Sequence, residues 1–220
     1  MGYDPEHRLV LSVTVGKRTA ENCREVVADV RGRTAGAIPR LITSDEYPGY
    51  KVAIQQEYGL RVVPLTVLPK PKGRPRIEKK VIPRALNYAT VHKTREQGRV
   101  VKVEQKIVFG TQESVSAALR QSSVSKTVNT SFLERQNATD RHHNARKARC
   151  TYCFSKAWGV HQMITWLTLF SYNFCWPVRT LASRGNDGRH RPTTPAMSAG
   201  LSDHLWTMRE WCSMPAVQSG

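Results

Sequence analysis

The apolar positions of this chain alternate at its start and recur at helical spacing further on. In Arg8–Val15 (RLVLSVTV) the residues Leu9, Leu11, Val13 and Val15 fall on one side of an extended segment, the period of a strand with one covered face. Tyr3-Asp4-Pro5-Glu6-His7 before it reads as a turn, yet only three residues precede Asp4, so the pattern is that of a hairpin whose first arm is missing. Thr19 is placed to cap a helix running to about Arg31, with Val26, Val27 and Val30 as its stripe. Arg40–Ser44 (RLITS) is a short apolar strand ending in Asp45. Glu46-Tyr47-Pro48-Gly49-Tyr50 then turns the chain into a helix over Lys51–Tyr58, closed by Gly59.

From residue 60 the pattern changes. Pro64, Pro69, Pro71, Pro75 and Pro83 interleaved with Lys70, Lys72, Arg74, Arg76, Lys79 and Lys80 spell an extended basic linker. Arg99–Val103 and Lys106–Phe109 alternate enough for a short β pair, and Ser114–Leu119 reads as a short helix. Asn129–Lys156 contains neither Gly nor Pro and is expected to be one long helix. Trp158–Trp176 is near membrane length, but His161, Gln162, Thr165, Ser171 and Asn173 interrupt it, so a mostly buried helix is expected. In the tail, Thr193-Thr194-Pro195 can open a last turn or helix with Leu201, Leu205, Trp206, Met208 and Trp211 on its apolar side. The implied division is 1–59, a basic insertion at 60–127, a helical part at 128–182 and a tail at 183–220.

Charge sharpens this division. The 34 Lys and Arg exceed the 17 Asp and Glu, and the excess is uneven. Residues 1–59 hold eight of each sign, whereas 60–127 hold fifteen basic and four acidic and 128–160 hold six and two. A surplus gathered in the middle of a chain is the electrostatic footprint of a polyanion partner, with nucleic acid the default. The basic run lacks an amphipathic apolar face, so no membrane partner is expected. Five widely spaced cysteines argue against a secreted disulfide framework, and no leader pattern follows Met1. The expected compartment is the cytoplasm.

The candidate chemistry is acidic. Asp45 stands at the C-terminal tip of a strand, where open α/β sheets present ligands, although an aspartate there is equally suited to capping the next helix. Glu134 opens the basic helix, and at 3.6 residues per turn it shares a face with Asn137 and Arg141. Arg135, Arg146 and Lys147 follow, and these with Asn137, Arg141 and the linker's Lys70, Lys72, Arg74 and Arg76 are the candidate DNA contacts. The plain alternative is a solvated, charge-laced helix. Two acids on separate elements are what two-metal phosphoryl transfer asks for, normally with a third, and hard ions select oxygen ligands. Cys150-x-x-Cys153 with His142-His143 suggests zinc less well, because four ligands on one helix do not converge. Cys23, Cys175 and Cys212 suit small buried apolar positions. A Ser-His-Asp hydrolase has no nucleophile elbow here.

The blocks HRLVLSVTVGKRTAENCREVVADV, LITSDEYPGY and VNTSFLERQNATDRHHNARKARCTYCFSKAW, in that order, resemble the catalytic core of bacterial insertion-sequence transposases of the DDE type. The likeness extends over nearly the whole chain. It implies an α/β, partial RNase H-like fold, a mixed sheet with flanking helices, lacking its first strand and carrying the basic insertion and a helical C-terminal part. It implies Asp45 and Glu134 as the second and third ligands of Mg²⁺ or Mn²⁺, and Arg141 as a DNA contact two turns beyond the glutamate. The implied partners are DNA, as transposon ends and target, and a second copy or a full-length transposase. The family's first catalytic Asp has no counterpart here, since Asp4 sits in a turn and Asp29 on a helix. The expectation is therefore a transposase fragment inactive alone, with a non-catalytic DNA-binding protein as the alternative.

Overall fold

The computed structural model describes residues 1–61, 80–148, 152–184 and 188–214. Among them it is a mixed α/β protein with seven α-helices and small sheets. In chain order these are β1 (Gly2–Asp4), β2 (Leu9–Ser12), α1 (Ala20–Arg33), β3 (Ile42–Asp45), α2 (Pro48–Tyr58), β4 (Leu60–Arg61), β5 (Lys80–Val81), β6 (Tyr88–Glu96), β7 (Arg99–Phe109) and α3 (Gln112–Gln121). There follow α4 (Ser131–His143), α5 (Trp158–Cys175), β8 (Ser183–Arg184), β9 (His190–Arg191), α6 (Pro195–Ser198) and α7 (Met208–Ser213). The chain divides into two compact units, one of residues 16–130 and one of residues 1–15 with 131–220.

The 16–130 unit is built on a three-stranded sheet in the order β3-β6-β7, with β3 parallel to β6 and β7 antiparallel. Strand alternation sends neighbouring residues of β6 into different cores. Tyr88 joins Cys23 and Val27 of α1, Ala53, Ile54 and Tyr58 of α2, and Leu86. Ala89 and Val91 join Val115 of α3 and Val128. Local chemistry sets the helix ends. Thr19 accepts the Asn22 N–H at 3.2 Å to cap α1, and Thr111 and Ser114 form a reciprocal capping box on α3. Pro48 stands in the first turn of α2, where a missing N–H costs nothing.

Burial in the first of these cores pushes the Tyr50 hydroxyl from 10.0 up to about 12, with the neighbouring Cys23 adding to the shift. A group raised on folding contributes stability that is complete below its unfolded value and lost as pH climbs toward the folded one. The unit is therefore expected to weaken from about pH 10 upward, and Tyr50→Phe to flatten that loss in pH-dependent denaturant melts. The Cys23 thiol, raised by the same burial, leaves a residual slope.

In the other unit β1 and β2 pair antiparallel across the Asp4-Pro5-Glu6-His7 turn, so three residues suffice for the first arm. Asp4 organises the turn, accepting the Glu6 N–H at 2.9 Å and meeting His7 Nδ1 at 2.6 Å. Leu9, Val10 and Ser12 are buried, and the side chain of Asn173 on α5 bonds both backbone groups of Val10. One residue along α5, Phe174 packs ring on ring with Trp206 and Trp211, at centroid distances of 4.9 and 5.3 Å.

Three further expectations are corrected. The helix expected over Asn129–Lys156 ends at His143, where Asn144 caps a single 3₁₀ turn over Ala145–Lys147. Arg99–Phe109 is one continuous strand paired with β6, because Glu104 and Gln105 stay in the ladder opposite His92 and Val91. The aromatic helix does form, over Trp158–Cys175, but Trp158, Met163, Trp166 and Leu167 are exposed rather than buried. Among the described residues no helix is long and apolar enough to cross a membrane. Lys70, Lys72, Arg74 and Arg76 of the expected linker lie outside the described residues, as does Cys150.

Candidate carboxylate and basic sites

Asp45 is the last residue of β3, opposite Val91 of the parallel strand β6. Its side chain is 53% exposed and forms an ion pair with Arg18. One carboxylate oxygen also accepts the Tyr47 N–H at 3.4 Å, the local turn bond of an aspartate before a helix. The Arg18 guanidinium lies 4.4 Å over the Tyr47 ring, whose hydroxyl donates to the Arg18 carbonyl at 2.9 Å. Arg18 is thus held by a charge and by a ring. Ser44 Oγ meets the Tyr88 hydroxyl at 2.8 Å, fixing the strand tip from behind. The adjacent acid has a different partner, Glu46 lying 2.9 Å from His92 Nδ1. A short acid-base patch therefore runs from Arg18 through Asp45 and Glu46 to His92 within the 16–130 unit.

Glu134 belongs to the other unit, exposed in the first turn of α4. A carboxylate there is stabilised by the positive end of the helix dipole. Arg135 and Arg141 are exposed, Asn137 is half-buried, and Arg146 is exposed on the 3₁₀ turn. The cationic side chains thus keep solvent access over the length of the helix. Lys147 differs, because its Nζ bonds Asp140 Oδ2 at 2.6 Å and the two side chains are 18% and 8% exposed.

Asp140 is the residue that sequence reasoning missed. It lies six positions after Glu134 on the same helix, and its signal was an acid with a lysine seven residues on. Gln136, Asp140 and Asn144 are all buried at four-residue spacing. Gln136 Nε2, Asp140 Oδ1 and Asn144 Nδ2 lack a hydrogen-bond partner, so this face carries a polar stripe inside the unit. His143 beside it packs 4.1 Å from the Trp176 ring, and burial holds its imidazole below the usual value.

The donors implied for a divalent ion can be tested against this geometry. Asp45 faces a guanidinium, which competes with any cation for the same oxygens. Among the described residues no group of three or more His, Cys, Asp or Glu side chains could hold a metal ion. The described donors do not by themselves make a metal centre. Of the zinc candidates, Cys153 is exposed and His142 stacks edge-on to His143. Cys23 is buried as expected, Cys175 is half-buried and Cys212 is exposed. Compared with known proteins, the chain matches no family model, no curated protein and no solved structure.

Proposed function

We propose that the chain is part of the catalytic core of a DDE-type insertion-sequence transposase with an RNase H-like fold, and that its partner is DNA. The observation that carries this reading is the place of Asp45, half exposed at the carboxyl end of a parallel strand pair, where such sheets present ligands. The resemblance over three ordered blocks and the exposed cations that follow Glu134 add support. In this reading Asp45 and Glu134 are two of the carboxylates that hold Mg²⁺ or Mn²⁺ against a DNA phosphate. The ions, when bound, supply activation of the attacking oxygen and stabilisation of the leaving one. Arg18 balances the Asp45 charge, while Arg135, Arg141 and Arg146 take DNA phosphates.

The reading needs a third carboxylate beside Asp45, and the residue opposite it on the neighbouring strand is Val91. The chain alone is therefore expected to bind DNA without joining strands. Mg²⁺-dependent strand transfer by the purified 220-residue chain would contradict the incomplete site. A second reading, a DNA-binding protein that modulates a full-length transposase, is favoured by the Asp45–Arg18 ion pair, in which a guanidinium occupies the carboxylate a cation would need.

Mn²⁺ titrated into the chain with duplex DNA separates the two. Paramagnetic broadening around both Asp45 and Glu134, lost in Asp45→Ala and Glu134→Ala, supports the transposase reading. Broadening at neither site supports the binding-only reading. Under both, the two substitutions are expected to leave salt-sensitive DNA affinity almost unchanged, because phosphate contacts come from the cations.

A further inference from the structure

The strands β6 and β7 run on beyond the core as a two-stranded ribbon. Burial ends at Val91, and every residue of β7 from Arg99 to Lys106 is exposed. The tip is Gln97-Gly98, both with positive φ (47° and 80°), the tight turn whose twist matches a hairpin. Five residue pairs, from His92 opposite Glu104 to Glu96 opposite Arg99, make up the outer part. Between His92 and Lys106 stand five cations, Lys93, Arg95, Arg99, Lys102 and Lys106, against Glu96 and Glu104.

Register assigns these side chains to faces, since directly paired residues share one. Lys93 opposite Val103 and Arg95 opposite Val100 continue the face that holds Ala89 and Val91. Lys106, Lys102 and Arg99 lie on the other, opposite Thr90, Thr94 and Glu96. Cations thus stand on both faces, with exposed Val100, Val101 and Val103 between them.

We propose, resting on the reading of DNA as partner, that this outer ribbon enters the major groove of duplex DNA. A ribbon of two strands about 4.8 Å apart and five residues, about 17 Å, long fits a groove roughly 12 Å wide and 8.5 Å deep. Cations on both faces meet both groove walls, and valine methyls are what thymine methyls take as neighbours. A-form RNA has a deep, narrow major groove that excludes such an element. Pairing of β7 with a second copy is the lesser fit. The register shift after Thr94 leaves Val101 without a cross-strand partner and twists that edge, and Arg99, Lys102 and Lys106 are the charges that discourage edge pairing.

The test compares the full chain with two triple variants of equal charge loss. Arg95→Gln/Arg99→Gln/Lys102→Gln alters the ribbon, and Arg24→Gln/Arg33→Gln/Lys51→Gln alters exposed cations on α1 and α2. Thermal melting checks that both fold. The ribbon variant is expected to bind a labelled duplex at least about tenfold more weakly and to lower the salt slope by roughly two to three, with the control close to wild type. Methyl green, a major-groove ligand, is expected to displace the wild-type chain and netropsin, a minor-groove ligand, to leave it bound. Equal losses in both variants, or displacement by netropsin alone, overturn the proposal. So does a ribbon variant that keeps its affinity, including one that changes only from dimer to monomer in sedimentation, and DNA binding then survives as the general reading. A wild-type chain that binds no DNA overturns both.

Discussion

Asn173→Ala should unfold the unit formed by residues 1–15 and 131–220 at much lower denaturant than wild type. The Asn173 side chain is 3% exposed and does what a partner strand would do for Val10. Its Oδ1 accepts the Val10 N–H at 2.9 Å and its Nδ2 donates to the Val10 carbonyl at 2.8 Å. Alanine strips both bonds and leaves a buried backbone donor and acceptor without partners, a loss of about 2–4 kcal/mol. The two-stranded β1–β2 ribbon has little stability of its own, so the effect concentrates where it meets α5. Asn173→Asp keeps the acceptor, loses the donor and sets a carboxylate beside a carbonyl, so it should not rescue. The readout is selective, because all five tryptophans lie between residues 158 and 211, within this unit. Tryptophan fluorescence in a denaturant titration should shift to a lower midpoint while signals from the 16–130 unit hold.

Lys147→Ala comes next in size and separates structure from binding. Removing one partner of a buried ion pair strands the other charge, here Asp140, and costs about 3 kcal/mol. Asp140 Oδ1 already lacks a bond, so no neighbour stands ready to replace the lysine. The double variant Asp140→Asn/Lys147→Ala should recover much of the loss, since no buried charge remains. Arg146→Ala, one residue earlier and exposed, should weaken DNA binding with little change in the melt. If Lys147→Ala and Arg146→Ala behave alike in both assays, the ion pair is not what ties Lys147 to α4.

The difference between these two neighbours was invisible in the sequence, where Arg146 and Lys147 read as one basic run. Spacing could place Thr19 as a cap and Asp45 at a strand tip, because those depend on residues within a turn of each other. It could not say that Asp140 turns inward, since burial on α4 is decided by elements distant in sequence. The long helix was overextended for a related reason. No Gly or Pro marks its end, which is made by Asn144, whose side chain accepts the Arg146 N–H. A rule that expects apolar alternation divides Arg99–Phe109 at Glu104 and finds no strand in Tyr88–Glu96, yet an exposed ribbon needs only backbone pairing and tolerates charge on both faces. Composition alone reads the aromatic helix as buried, whereas Trp158 and Met163 show how much apolar surface a charged protein leaves in water. Asp45 and Glu134 were legible as acids on separate elements, and they fall in separate units, which is why the metal titration rather than spacing must decide between the two readings.

Affinity of the intact chain for a duplex as a function of salt tests the account most directly, because both readings rest on phosphate recognition by the basic middle of the chain. The account predicts saturable binding that weakens by about 10³-fold or more between roughly 50 and 200 mM salt, linearly on logarithmic axes. Binding that is absent at low salt, or present but insensitive to it, would contradict the account.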